Sequence, residues 1–141
     1  MGGAMDVTQG RIASPILVVD DSSTIRRSAE IFLAQSGYSV VFAEDGFEGI
    51  AKIMEYVPAL ILCDVIMPRL DGYQICSLVR HHPRFQHIPV VMLSSKDGVF
   101  DRARGVLVGA NAYLTKPFTK DSLLKTVAMH LAQAEPSFSH A

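Results

Sequence analysis

From position 16 almost to the end of the chain, short apolar runs alternate with longer amphipathic stretches. The apolar runs at 16–19, 38–43, 59–63, 89–93 and 112–114 are brief and predict five strands. A strand buried on one face alternates apolar with polar residues. Runs apolar at successive positions need cover on both faces, which points to a parallel sheet with helices on either side. The intervening stretches predict those helices. Ser22 is placed to cap the first, whose apolar positions Ile25, Ala29, Phe32 and Leu33 recur at helical spacing before Gly37 stops it. A second spans 46–56 and ends ahead of Pro58. The stretches 73–81, 99–108 (with Gly109 following) and 120–133 predict the rest. The product is an α/β fold, a (βα)5 unit with a doubly wound parallel five-stranded sheet.

A chain of 141 residues with 49% hydrophobic and 19% charged positions suits one compact domain. We place it at 15–134, with flexible segments at 1–14 and 135–141; the first residues, MGGAM, carry no weight in the fold reading. A domain of this size buries roughly 68–70% of its unfolded surface and needs no disulfide or structural metal. The net charge of −1 comes with no basic stripe, which argues against nucleic acid as a partner. The first ten residues hold no apolar signal core, and no apolar run has membrane-spanning length, so a cytoplasmic protein without membrane insertion is expected. Cys63 and Cys76 lack CxxC spacing and read as small buried hydrophobes. His81, His82, His87, His130 and His140 lack metal-ligand spacing and read as surface residues.

The chemistry gathers where an open parallel sheet places it, at the carboxyl ends of the strands. The first strand ends in Asp20 and Asp21, the third in Asp64, the fourth in Ser94 and Ser95, and the fifth in Thr115 and Lys116. Only the second strand, ending at Glu44 and Asp45, is assigned to a sheet edge. Three converging carboxylates repel, each pair at 4 Å by about 4 kcal/mol at an effective dielectric near 20. They call for a cation. An all-oxygen set favours Mg²⁺, which commonly pairs one or two carboxylates with a phosphate oxygen. Lys116 and Ser94 suit the phosphoryl oxygens, and Asp64, on a central strand, is the best-placed nucleophile for an acyl phosphate.

Each residue alone has a plainer explanation. Asp20 or Asp21 suits a helix start, Ser94 a strand-end cap, Lys116 an ordinary loop, and Asp64 with the following VIMPRLDG simple turn chemistry. Their shared position at one end of four strands changes the balance.

The blocks VVDDS, CDVIMPRLDGY, VVMLSSKD and YLTKPF resemble, in order and spacing, the receiver domain of bacterial two-component response regulators of the single-domain, CheY-like chemotaxis type, over 16–131. Further blocks, TIRRSAEIFL and MLSSKDGVFDRARG among them, resemble the PilG-type subfamily that serves twitching motility by type IV pili. The resemblance implies a flavodoxin-like fold with strand order 2-1-3-4-5. It implies phosphorylation at Asp64, Mg²⁺ held by Asp20, Asp21, Asp64 and the backbone carbonyl of Ile66, and phosphoryl binding by Ser94 and Lys116. A cis bond between Lys116 and Pro117 follows by the same resemblance. So does a switch, in which Ser94 moves toward the phosphoryl group and Tyr113 turns inward, repacking the face of the fourth helix, fifth strand and fifth helix. Taken alone, Tyr113 is a half-exposed aromatic on an edge strand. Ile66 and Lys96 stand where some members carry Asn and Glu, and this pair is expected to slow attack of water on the acyl phosphate.

The function implied is a phosphorylation-switched signalling protein and phosphoacceptor, not an enzyme. It takes its phosphoryl group from a CheA-like histidine kinase and signals, as a monomer or weak dimer, to a motility or pilus protein. A Mg-dependent phosphotransferase or phosphatase working through an aspartyl phosphate is the alternative. It lacks a cap to enclose a substrate and a second acid two residues after Asp64.

Overall fold

The computed structural model describes residues 5–6, 11–12, 14–95 and 102–134. Five parallel strands, β1 (Ile16–Val19), β2 (Val40–Ala43), β3 (Leu60–Asp64), β4 (Val90–Ser95) and β5 (Ala112–Lys116), alternate with α1 (Ser23–Gln35), α2 (Gly46–Tyr56), α3 (Gly72–His81), α4 (Arg102–Val108) and α5 (Lys120–Ala134). The order across the sheet is β2-β1-β3-β4-β5, the flavodoxin-like arrangement expected. An antiparallel pair, Met5–Asp6 with Arg11–Ile12, lies in the segment read as flexible.

The sheet is buried on both faces, and strand periodicity divides its side chains between two apolar clusters. Leu17, Val19, Ile61, Cys63, Val90 and Met92 face α2 and α3. Ile16, Val18, Leu60, Leu62, Val91 and Leu93 face α1 and α5. Cys63 and Cys76 are buried and free, as expected. The sheet has two edges rather than one, because β5 closes the side opposite β2. His130 is a second correction. It is buried, with Nδ1 2.8 Å from the Thr126 carbonyl, because an i,i−4 contact within α5 satisfies the ring.

Most differences at the element ends concern the strands near the site. β3 runs on to Asp64, β4 to Ser95 and β5 to Lys116, because Asp64 pairs with Leu93 and Ser95 with Lys116 in the ladder. Polar residues at those positions resemble loop in a sequence, yet their backbones complete the sheet. Ser22 does cap α1, its side chain accepting from Ile25 N–H at 3.3 Å. α3 starts one residue before the expected 73, since Asp71 and Gln74 form a reciprocal capping box. The first part of the helix expected at 99–108 lies outside the described residues, as does Lys96. Among the described residues, no helix is long and apolar enough to cross a membrane.

Candidate functional site

Parallel strands present their carboxyl ends on one edge of the sheet, and β1, β3, β4 and β5 deliver Asp20, Asp64, Ser94 and Lys116 there. Asp20 follows β1 directly and is fully buried. Its N–H donates to the Ala43 carbonyl at 3.1 Å, one Oδ accepts from Ser22 N–H at 2.9 Å, and the other from Lys116 Nζ at 3.0 Å. Asp64 closes the central strand, 5% exposed. It accepts from Ile66 N–H at 3.3 Å and pairs with Lys116 Nζ at 3.2 Å. Asp21 is exposed, and one oxygen from each of Asp20, Asp21 and Asp64 lies within 4.8 Å of the others.

Lys116 therefore bridges two carboxylates from different strands. Burial alone would lower the ammonium, but hydrogen bonding and charge from Asp20, then Asp64, outweigh it and hold Lys116 above its ordinary value. Asp64 goes the other way from a free carboxylate: burial first, then the neighbouring Asp20 charge, push it up to about 6 despite Lys116. A carboxyl raised by burial and by a neighbouring acid, with one lysine shared between the two, marks a site short of positive charge. Ser94 is buried at the end of β4, its Oγ donating to the Ser95 carbonyl at 3.3 Å. Tyr113 is half-buried on β5, and the Lys116–Pro117 bond is cis.

Residues 16–128 match the response regulator receiver domain. The chain belongs to that family. As a receiver domain it is a phosphorylation-switched signalling module. It is 50% identical to protein PilG of Pseudomonas aeruginosa over 124 residues, 88% of this chain and 89% of that protein. It is 38% identical to response regulator Rre1 of Synechocystis over 129 residues, 89% of this chain and 56% of that longer protein. Among solved structures, the Vibrio cholerae chemotaxis protein CheY4 superposes with a TM-score of 0.77 at 34% identity, covering 83% of this chain and 98% of CheY4. The signal receiver domain of a histidine kinase from Syntrophus aciditrophicus gives 0.80 at 31%, covering 90% and 96%.

The receiver's surroundings add three residues the sequence reading left aside. Arg26 donates to the Asp20 carbonyl at 2.6 Å from one turn inside α1, tying the helix to the acid pair. Gly72 donates its N–H to the Val65 carbonyl at 3.0 Å and packs so closely on Asp64 that a side chain would strike the Asp64 carbonyl oxygen. Arg69 has φ +69, and Leu70 N–H reaches back across it to the Pro68 carbonyl at 2.8 Å. A non-glycine residue in that region is strained, as happens beside functional sites. The DG pair in LDGY marked the glycine as a turn signal; nothing in the sequence marked Arg26 or the Arg69 conformation.

Proposed function

We propose that Asp64 accepts a phosphoryl group from a CheA-like histidine kinase, and that the modified protein signals to a protein partner in type IV pilus or chemotaxis-type motility. The carrying observation is the setting of Asp64: a buried carboxylate ending the central strand, within 4.8 Å of two more acids and 3.2 Å from a lysine. Such a set fits Mg²⁺, a hard cation that takes oxygen ligands. Asp20, Asp21, Asp64 and the Ile66 carbonyl would hold it. When bound, the ion neutralises charge on the transferring group.

The chain's own side chains do the rest. An Asp64 oxygen forms the new O–P bond while the P–N bond of the donor phosphohistidine breaks, the imidazole nitrogen keeping the electron pair. Lys116, now shared between Asp20 and Asp64, exchanges its Asp64 contact for a phosphoryl oxygen. Ser94 gives up the Ser95 carbonyl to donate to another, and Tyr113 turns into the space left. The readout falls on the α4, β5 and α5 face. On this reading the protein works in the cytoplasm as a monomer or weak dimer, a phosphoacceptor assisting its own phosphorylation and dephosphorylation without turning over a free substrate. The folded unit is 15–134. The motility setting is supported by the 50% identity to PilG and the likeness to a chemotaxis protein.

The test is incubation with Mg²⁺ and acetyl phosphate, followed by intact-mass measurement. One phosphoryl group should appear on the parent and be absent from Asp64→Asn and from chelator-treated protein. Full labelling of Asp64→Asn would refute the assignment, and sustained hydrolysis of free phosphomonoesters would point to the hydrolase instead.

A further inference from the structure

We propose that Arg104 is a positioning residue that holds α4 in place through the ring of Tyr73, so that the state of Asp64 reaches α4 along α3. This extends the phosphoacceptor reading and rests on it.

Tyr73 is locked to the phosphoacceptor from behind. It is buried at 4% exposure and follows Gly72, whose N–H binds the Val65 carbonyl and whose α-carbon sits against the Asp64 backbone with no room for a side chain. The Asp71–Gln74 capping box fixes the start of α3 at the same point. Displacement of the Asp64–Val65 backbone therefore carries the Tyr73 ring with it.

Arg104 reads that ring. Its guanidinium stands 4.2 Å from the centroid of Tyr73, a planar cation on an aromatic face. The described part of the helix that bears it, Arg102–Val108, turns large apolar side chains to solvent, with Val106 74% and Leu107 85% exposed. Its carboxyl end is pinned by α3. Cys76 Sγ donates to the Val108 carbonyl at 3.3 Å, and Arg80 Nε to the Gly109 carbonyl at 2.9 Å. The other two Arg80 nitrogens bind the Ile88 carbonyl at 2.7 Å and Asn111 Oδ1. α4 thus has a pivot at its carboxyl end and, at Arg104, a contact that depends on where Tyr73 lies.

The direction of the bias follows from the site. Lys116 is committed to both carboxylates and Ser94 to the Ser95 carbonyl, which is the arrangement before transfer. The stack occurs together with that arrangement; if it favours it, its removal shifts the population toward the phosphoryl-bound form.

The experiment uses the full chain, with Mg²⁺ and beryllofluoride as the phosphoryl analogue, reading affinity by titration and α4 opening by amide hydrogen exchange. Arg104→Ala should bind the analogue roughly three- to five-fold more tightly, and its α4 amides should exchange faster before the analogue is added. Arg104→Lys, which keeps the cation without the planar face, should fall between the parent and Arg104→Ala. Arg104→Gln, planar but uncharged, should follow alanine and serves in its place if alanine does not fold. Unchanged or weaker affinity in the Ala and Gln variants, with the parent still binding through Asp64, overturns the proposal alone. A parent that does not bind the analogue through Asp64 brings down the phosphoacceptor reading and this proposal together.

Discussion

Asp64 carries the clearest consequence of its surroundings, since burial and Asp20 push its carboxyl up to about 6 from the ordinary 3.8. Below pH 4 the group is protonated in folded and unfolded chains alike and costs nothing. Between about 4 and 6 the unfolded chain releases the proton while the folded one keeps it, so the folded state loses stability as pH rises through that window and levels off above it. Asp64→Asn lacks this contribution. In chelator, urea unfolding at several pH values should show the variant gaining on the parent from pH 4 to 6, then holding a constant lead. Added Mg²⁺ should narrow that lead by favouring the ionised carboxylate. A lead independent of pH would mean that Asp64 is not the acid being held neutral.

The element that positions the acid is the loop from β3 to α3, and its geometry separates two kinds of glycine. Gly37 ends α1 with φ +87 in open space, so Gly37→Ala should cost only the left-handed penalty, about 1–2 kcal/mol. Gly72 has no such φ, but its missing side chain is where the Asp64 carbonyl lies. Gly72→Ala must displace the backbone that carries the phosphoacceptor, at about 1–3 kcal/mol or more. Thermal unfolding should rank the two alike or put Gly72→Ala lower. Phosphorylation by acetyl phosphate should separate them sharply, leaving Gly37→Ala at the parent rate and slowing Gly72→Ala. Equal rates would show that the contact does not fix the site.

At the scale of the whole molecule, the two apolar clusters share one sheet, and neighbouring residues of β3 belong to opposite ones. Ile61 packs toward α2 and α3, Leu62 toward α1 and α5, and both are fully buried. Ile61→Ala and Leu62→Ala should each cost about 2–5 kcal/mol, and each should lower one cooperative transition, as expected of a small single domain. Splitting of the transition by either variant would mean that the two faces unfold separately. The same sheet explains the site: four strands ending at one edge bring together residues up to 96 positions apart, Asp20 and Lys116 among them.

The strand and helix sequence, the parallel sheet and the acids, hydroxyl and lysine at the strand ends were all legible in the chain, because burial on both faces and helical spacing leave a periodic record. Capping by Ser22 was legible too, being local. What lay beyond reach was set by contacts between distant segments: the extension of β3, β4 and β5 through polar residues that pair across the sheet, burial of His130, and the Lys116 bridge between two carboxylates. Arg69 in its left-handed turn and Arg104 over Tyr73 belong to the same class. Local patterning records which surface a residue prefers to bury; only packing of the whole chain decides which partner it meets there.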